Sequence, residues 1–235
     1  MCEDVDEFIG YLIDTLISEG IRLQEEFFTK ECVCRRCCDC RDLFTLEYYI
    51  GVQQIYLGDK PNDSQNYNLE ELFSFPYNNI TKQTNMECSK CNSGQIHTFE
   101  RIKRLQRPPC YLMLYIVRFD VTNTVGKNGE KGDNSDFEYN GSDVSVDFNE
   151  MINVKEGIFV QCEGSCSLRY KLNGVCMHSG KSTEGHYISV CRNETSKSWY
   201  MYDDQNVKEW KTITPRRWKE LNQRGVLLIY ERETK

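Results

Sequence analysis

Two close pairs of cysteines, far apart in the sequence, restrict the folds that are open to this chain. Cys34 and Cys37 form one Cys-x-x-Cys pair and Cys88 and Cys91 form another, with 50 residues between them. Zinc prefers four soft ligands in a tetrahedron, and a Cys-x-x-Cys turn presents two thiolates to one ion. The long separation predicts that each pair lies at a hairpin tip and joins two strands of an extended sheet. The predicted structural zinc site is Cys34, Cys37, Cys88 and Cys91. Cys37 and Cys40 form a competing first pair, so the sequence alone does not decide which two cysteines of the first cluster bind the ion.

The remaining composition favours a reduced, intracellular protein. The chain has 13 cysteines, an odd number, and its acidic N-terminal sequence lacks the charged-then-apolar pattern of a secretion signal. No run of about 18 apolar residues is present to span a membrane. A net charge of −7 argues against nucleic acid as the main partner. We therefore expect a cytoplasmic or nuclear protein with no membrane or nucleic-acid partner.

Hydrophobic patterning predicts one strong helix followed mostly by strands. Residues 4–20 carry apolar side chains at helical spacing, with Asp4 to cap the helix and Gly20 to end it. A short helix is expected at NLEELFSF. Strands are expected at LFTLEYYIGVQQIYL, QIHTFERIKRL, YLMLYIVRFD, CSLRYKLNGVCMHS, HYISVCR, SWYMYDD and GVLLIYER. Most of residues 121–146 is expected to be exposed loop. The pattern predicts an α+β protein with a largely antiparallel sheet in its C-terminal half.

One of the three histidines is placed as a candidate catalytic base. His186 begins a predicted strand, and Asp203 and Asp204 end the next one, with Asp203 17 positions after His186. A neutral imidazole that is held by a carboxylate can take a proton from a thiol or a hydroxyl. His97 and His178 have no carboxylate placed in this way along the sequence, and a lone strand histidine more often has a structural function. His186 is therefore the predicted base.

These segments together resemble the ubiquitin-specific proteases, papain-like cysteine peptidases that cleave after the C-terminal glycine of ubiquitin. YKLNGVCMHSGKSTEGHYISV followed by WYMYDDQNV is similar to the family's histidine box. CEDVDEFIGYLIDTL is similar to its glutamine-aspartate box, with Cys2 and Glu3 where two glutamines are common. CVCRRCCDC and CSKC resemble its zinc knuckles, and LQRPPCYLMLYIVRFD resembles a strand that ends in an Arg-Phe signature, here Arg118 and Phe119. VDFNEMINV and GVLLIYER resemble palm strands, so the resemblance covers nearly the whole chain.

The resemblance implies a papain-like ubiquitin-specific protease fold with a mostly antiparallel palm sheet, zinc-bearing fingers and an N-terminal helix. It implies a single partial domain over 1–235. Within it, 1–30 would be a helical remnant of the thumb, 31–100 the fingers with zinc knuckles, and 101–235 the palm with the histidine box.

The resemblance also implies a function for each candidate site residue. His186 is expected to be the general base, Asp203 to orient it, and Asp204 to support the oxyanion region or the substrate backbone. Gly185 and Tyr187 are expected to line the narrow channel for a Gly-Gly tail.

Two acidic residues one helical turn apart, Asp4 and Glu7, are expected to meet the arginines of the ubiquitin tail. Helix capping is the alternative function of Asp4, and both functions can hold in part. The expected partners are ubiquitin or ubiquitinated proteins.

One part of the family pattern has no counterpart in these residues. The nucleophile belongs to a Gly-Asn-x-Cys-Tyr box upstream of the glutamine-aspartate box, and no such box occurs in the sequence. The thumb is therefore expected to be largely missing, as in a fragment of a longer enzyme or a natural remnant. The expected function is thiol-dependent deubiquitination, by isopeptide cleavage after the C-terminal glycine of ubiquitin, with this chain inactive on its own. A catalytically dead ubiquitin-binding or scaffold domain and a purely structural zinc protein are the alternatives.

Overall fold

Strands dominate the fold. The computed structural model describes residues 4–57, 66–91, 95–118, 144–154, 158–159, 168–180 and 185–233, except the side chains of residues 24 and 25. Cys2, Glu3, Phe119 and most of the predicted loop lie outside these residues. The elements in chain order are α1 Val5–Ser18, α2 Gln24–Phe27, β1 Thr29–Cys37, β2 Leu43–Ile50, β3 Val52–Tyr56, β4 Asn66–Asn68, α3 Leu69–Asn78, β5 Thr81–Glu87, β6 Ile96–Gln106, β7 Tyr111–Val117, β8 Ser145–Asp147, β9 Met151–Val154, β10 Leu168–Gly180, β11 Gly185–Arg192, β12 Trp199–Asp203, β13 Asn206–Trp210, α4 Pro215–Arg224 and β14 Gly225–Arg232.

The strands form two main sheets. The fingers sheet has the order β2-β1-β6-β5, and the palm sheet has the order β13-β12-β11-β10-β14-β7-β3, with β9 also on β10. A short pair joins β4 and β8. Within the described residues, β3–β7 and β4–β8 run parallel and the other strand pairs run antiparallel. The predicted α+β class and the largely antiparallel sheet are confirmed.

Helix α1 begins and ends where its sequence signals lie. The carboxylate of Asp4 accepts a hydrogen bond from the Val5 N–H at 2.7 Å, and Gly20 ends the helix with a φ of +88°, which glycine adopts without steric cost. Ile13 is buried against the palm sheet, with other apolar side chains of α1 beside it. Three further apolar side chains of α1 remain 52%, 73% and 41% exposed: Phe8, Tyr11 and Leu12. The described residues therefore cover only one side of the apolar face.

Helices α3 and α4 cover the opposite face of the palm sheet and enclose the main core. The Asn68 side chain caps α3 by accepting from the Glu71 N–H at 3.1 Å. Leu72 and Phe73 of α3 and Leu221 of α4 pack there with the inward side chains of the central strands. The palm sheet is thus buried on both faces around β7, β14 and β10, which fixes the strands that carry the candidate site.

Arg118, the first residue of the Arg-Phe signature, ties three segments together at the end of β7. Its guanidinium is buried and donates to the carbonyl oxygens of Val144, Asn222 and Gly225 at 2.8–2.9 Å. Burial of a charged group is tolerated when its donors are satisfied in this way. Arg118 thus holds β7 to the start of β14 and to the chain before β8.

Several elements differ from the sequence prediction. The single strand predicted at LFTLEYYIGVQQIYL is two strands in different sheets, β2 in the fingers and β3 in the palm. A continuous β-prone run carries no signal for this change of sheet. Strand β3 therefore belongs to the palm sheet, although its residues lie inside the predicted fingers range 31–100. Strand β13 and helix α4 were missed, although Thr214 and Pro215 are typical of a helix start. Ser145–Asp147, inside the predicted loop, is strand β8.

Candidate active site and metal centre

His186 and Asp203 are brought together at one end of the palm sheet. His186 is the second residue of β11 and lies opposite Ser179 of β10, while Asp203 ends β12. The Nε2 atom of His186 lies 2.6 Å from the Oδ1 atom of Asp203. Because a carboxylate only accepts hydrogen bonds, Nε2 carries the proton and Nδ1 is left with a free lone pair. The pair therefore has the arrangement of an oriented base.

Asp204 completes a group of acidic and imidazole side chains. Its backbone has a φ of +50° in the turn between β12 and β13, a conformation that aspartate tolerates better than most residues. Ligand-type atoms of His186, Asp203 and Asp204 lie within 4.8 Å of one another. The hydrogen bond to Asp203, with a smaller contribution from the charge of Asp204, raises the pKa of His186 above its ordinary value, against burial and the Arg224 charge.

The histidine titrations should reflect these contacts. By NMR, His186 should titrate above the ordinary histidine pKa of about 6.5, and Asp203→Asn should lower that midpoint. Because the folded-state pKa is raised, the contact stabilises the folded chain fully below the unfolded pKa, and this contribution is lost as pH rises through the folded value. His178 is the internal control, because burial lowers its pKa. An unshifted His186 midpoint in Asp203→Asn would contradict this geometry.

Gly185 lies directly against the imidazole of His178. A Cβ atom at Gly185 would come within 1.8 Å of the Nε2 atom of His178, so only glycine fits here. His178 is buried and lies opposite Tyr187, with ring centroids 4.7 Å apart. The predicted channel residues Gly185 and Tyr187 therefore flank His186 on β11, and His178 supports both from β10.

Asp4 is already engaged by the palm. Besides the Val5 N–H, its carboxylate accepts hydrogen bonds from the Tyr115 hydroxyl at 2.6 Å and from the Tyr187 hydroxyl at 3.4 Å. The capping function expected for Asp4 is thus present, and Asp4 also joins α1 to β7 and β11. Glu7, one turn along α1, is exposed.

Two described palm thiols, Cys176 on β10 and Cys191 on β11, lie on the opposite face of the sheet from His186. Cys176 pairs with Ser189, three residues from His186 along β11, and an odd separation places the two side chains on opposite faces of the sheet. Burial raises the pKa of Cys176 to about 12. Cys191 shares the Cys176 face of β11, and burial raises its pKa too. Neither thiol is placed to serve as the nucleophile of His186.

Four cysteines converge at the far end of the fingers sheet. The Sγ atoms of Cys37 and Cys91 are 3.7 Å apart, those of Cys40 and Cys88 are 3.6 Å apart, and all four lie within 4.8 Å of one another. Zinc bonded to four sulfurs at about 2.3 Å requires sulfurs about 3.8 Å apart. Burial opposes ionisation of Cys88, but hydrogen bonds from the backbone of Cys91 and Lys90 outweigh it and lower its pKa to about 7. The donor set fits a structural zinc ion.

The group of four thiols contains Cys40 in place of Cys34, which was expected from the sequence. Strand β1 continues to Cys37, so Cys34, three residues earlier, points to the opposite face about 10 Å away. Its Sγ atom lies near Cys32 and Thr45 instead. Cys37, Cys88 and Cys91 lie where a shared ion requires them, and the competing pair Cys37 and Cys40 is the one that joins them.

His97 also has a carboxylate partner, which its sequence neighbourhood did not indicate. Its Nδ1 atom lies 2.6 Å from the Oδ2 atom of Asp39, 58 residues earlier in the chain. The pair sits beside Cys37 in the fingers. Only the folded hairpins bring these residues together, so a local sequence pattern could not reveal the contact.

Comparison with known proteins decides the family. Over residues 1–230 the sequence matches the family described as ubiquitin carboxyl-terminal hydrolase. The chain belongs to this family. It is a family of cysteine deubiquitinases, so the resemblance noted from the sequence motifs is confirmed.

This hydrolase-family chain spans only part of its relatives. Ubiquitin carboxyl-terminal hydrolase 9 of Saccharomyces cerevisiae is 31% identical over 179 residues, which cover 74% of this chain and 20% of the relative. Ubiquitin carboxyl-terminal hydrolase 48 of Rattus norvegicus is 32% identical over 123 residues, 52% of this chain and 10% of the relative. The solved SAGA Ubp8/Sgf11/Sus1/Sgf73 DUB module bound to ubiquitin aldehyde matches with a TM-score of 0.69 and 19% identity, over 99% of this chain and 50% of that chain. That match shows the fold.

Sequence reasoning missed two side chains around the site of this family member. Tyr115 lies in the middle of β7, where its apolar neighbours predict only core packing, yet its hydroxyl binds Asp4. His178 was weighed as a base, and its position against Gly185 gives it a packing function.

No helix within the described ranges has the length and apolar character needed to cross a membrane.

Proposed function

We propose that this chain forms the palm and fingers of a thiol-dependent deubiquitinase that cleaves the isopeptide bond after the C-terminal glycine of ubiquitin. The observation that carries the proposal is the pair of His186 and Asp203, 2.6 Å apart, beside a glycine that cannot be replaced without displacing His178. This is the base-and-orienter half of a cysteine peptidase site.

In this reaction Nδ1 of His186 takes the proton from the nucleophilic thiol. The thiolate attacks the carbonyl carbon of the terminal glycine, and His186 then returns the proton to the leaving amine. Asp203 holds the imidazole in the tautomer that leaves Nδ1 free and stabilises the imidazolium that forms. Asp204 supports the oxyanion region or the substrate backbone. Gly185 and Tyr187 line the channel for the glycine tail.

The nucleophile would come from a thumb that packs against α1. The exposed apolar side chains Phe8, Tyr11 and Leu12 provide a surface for that contact, because a helix face of this kind is usually covered in a folded protein. The proposed division is 1–30 as the helical part of the thumb, 31–100 as fingers and 101–235 as palm, with β3 and α3 packed on the palm.

We propose a structural zinc ion in the fingers, held by Cys37, Cys40, Cys88 and Cys91. The ion would cross-link the β1–β2 and β5–β6 hairpins, whose tips carry one cysteine pair each. Since these thiols must stay reduced to bind zinc, the proposal includes an intracellular location, cytoplasmic or nuclear.

Ubiquitin recognition would involve the acidic start of α1. Asp4 is engaged by Tyr115 and Tyr187, so Glu7 is the residue free to meet an arginine of the ubiquitin tail, with Asp4 adding its negative charge nearby. Glu7→Lys should weaken ubiquitin binding, with a larger loss at low salt, because exposed charge pairs are screened. Titration calorimetry at two salt concentrations measures the change, with the exposed Glu19→Lys as control. Equal affinity of the Glu7 variant and the parent at both salt concentrations would refute this function of Glu7.

The alternative function is a catalytically dead ubiquitin-binding domain. It is favoured by the positions of Cys176 and Cys191, which lie on the opposite face of the palm sheet from His186. Under either function the 235 residues alone should not react with a ubiquitin-based electrophilic probe. Under the deubiquitinase proposal, the same residues joined to a family thumb that bears the cysteine box should react. Failure of the joined protein to react while it still binds ubiquitin would favour the dead domain.

A further inference from the structure

A cavity of about 600 Å³ lies between the fingers sheet and β3, the last strand of the palm sheet in the described residues. We propose that it binds an extended peptide segment that carries an anionic side chain, a partner beyond the ubiquitin tail. Its lining includes Glu31, Gln53, Tyr77, Arg101 and Lys103. The volume lies within the range of about 300–1,000 Å³ that is typical of ligand sites.

Gln53 leaves one polar atom of its amide unsatisfied in this cavity. Its side chain is only 6% exposed. The Tyr77 hydroxyl lies 2.9 Å from the Oε1 atom of Gln53, and the Nε2 atom has no hydrogen-bond partner among the described residues. If the amide were turned, Nε2 would donate to Tyr77 and Oε1 would be left over. A buried polar group without a partner is costly, and a peptide group, which offers both a donor and an acceptor, satisfies either orientation.

Two arginines lie side by side on neighbouring strands of the fingers sheet, and one of them, Arg101, lines the cavity. Arg35 of β1 is directly opposite Arg101 of β6, and both Nε atoms are buried without a hydrogen-bond partner among the described residues. Neither arginine has a described carboxylate within ion-pair distance, whereas Lys103 is paired with Glu31 at 3.1 Å. Like charges directly opposite each other destabilise a sheet. An oxyanion that accepts from both guanidinium groups relieves this repulsion.

The shape and lining of the cavity favour a peptide over a free anion. Val52, Gln53, Gln54 and Tyr56 all line it, and since successive side chains of a strand point to opposite faces, the cavity runs along the edge of β3. Strand β3 ends the palm sheet in the described part of the chain, so its outer edge can pair with an added strand. Apolar side chains form the remaining wall: Ile50, Phe75 and Pro76.

Charge also restricts the partner. The whole chain carries a net charge of −7, which repels a polyanion such as nucleic acid. A single carboxylate or phosphate on an otherwise neutral segment meets the positive charge of Arg101 in the cavity wall, with Arg35 beside it, because Lys103 and Glu31 already neutralise each other. The cavity therefore suits one anionic side chain flanked by apolar or neutral residues.

The test is fluorescence anisotropy of the full chain with labelled pools of pentapeptides. The pools carry glutamate, phosphoserine or glutamine at the central position and neutral residues elsewhere. We expect the glutamate or phosphoserine pool to bind and the glutamine pool not to bind, and the stronger of the two anionic pools identifies the source of the anion. Arg101→Gln and Arg35→Gln should each weaken binding roughly tenfold or more. Lys82→Gln, which removes one positive charge from the opposite face of the same sheet, should leave it unchanged.

Several outcomes would overturn the proposal. These are binding of no pool, equal binding of the glutamine pool, an equal loss with Lys82→Gln, and full competition by unmodified ubiquitin, which would make the cavity part of the substrate surface. The thermal unfolding midpoint gives a separate check. Because an unneutralised arginine pair is unfavourable, Arg101→Gln should leave the midpoint unchanged or raise it. A lowered midpoint would indicate a structural function of Arg101 and would contradict an anion site.

Discussion

Cys40→Ser should release the metal from the fingers, whereas Cys34→Ser should leave it bound. The Sγ atom of Cys40 lies 3.6 Å from that of Cys88, and a serine hydroxyl is a poor substitute for a thiolate on zinc. Structural zinc contributes on the order of 10 kcal/mol in small modules. Losing one of four ligands should therefore loosen both hairpin tips, although the palm, which has its own core, should stay folded. Metal analysis measures the zinc content, and hydrogen exchange of the hairpins measures the loosening.

Cys38→Ser is the matched control for this experiment, because Cys38 lies between two predicted ligands and outside the group of four. Metal loss in Cys34→Ser with retention in Cys40→Ser would restore the first cysteine pair expected from the sequence. Absence of zinc from the reduced parent chain would refute the site altogether.

The cysteine pairs show that the sequence predicts the location of the metal site but not all of its ligands. Spacing predicted a metal site at two hairpin tips, because a Cys-x-x-Cys turn has few other uses in a reduced protein. The choice between Cys34 and Cys40 depends on where β1 ends. The β-prone run TKECVCRRC carries no turn signal before Cys37, and the Asp39 and Asp42 that follow favour a turn there. If β1 is extended through Cys37, the side chains of Cys34 and Cys37 point to opposite faces of the sheet, and Cys34 is excluded as a ligand of the same ion.

The buried strands were more predictable than the exposed ones for a physical reason. Strands β7, β10 and β14 are buried, and their continuous apolar or alternating patterns follow directly from burial. Strand β13 is almost wholly exposed, so nothing in its sequence had to be apolar. The division of one β-prone run into β2 and β3 depends on pairing with distant strands, which a local pattern does not record.

The candidate site was predictable where its residues lie on strands that follow each other in the sequence and also pair in the sheet. His186 and Asp203 lie on neighbouring strands of one meander, so their separation in sequence translates directly into contact. The contact of Asp4 with Tyr115 spans 111 residues and joins a helix cap to a core strand. Helix capping alone accounts for Asp4, and core packing alone accounts for Tyr115, so nothing in the sequence connects the two residues.

When the chain is joined to a family thumb that bears the cysteine box, His186→Ala should nearly abolish hydrolysis of a ubiquitin ester. Removing the base of a nucleophile–base–orienter unit costs about 10⁶-fold in kcat at such sites. Asp203→Ala should cost about 10⁴-fold, because the imidazole loses both its orientation and the charge that stabilises its protonated form. Asp204→Asn should cost less, since Asp204 does not hold the ring directly.

His97→Gln is the matched control, because it removes a histidine that is likewise paired with a carboxylate but lies in the fingers. It should leave kcat unchanged, provided that metal analysis shows the zinc content to be intact. Ubiquitin affinity should be retained in His186→Ala, which separates lost chemistry from lost folding. A His186→Ala enzyme that keeps more than about a tenth of the parent kcat would mean that another group takes the thiol proton. Since the proposal assigns the thiol proton to Nδ1 of His186, the nitrogen that does not contact Asp203, such a result would remove the observation on which the proposed function rests.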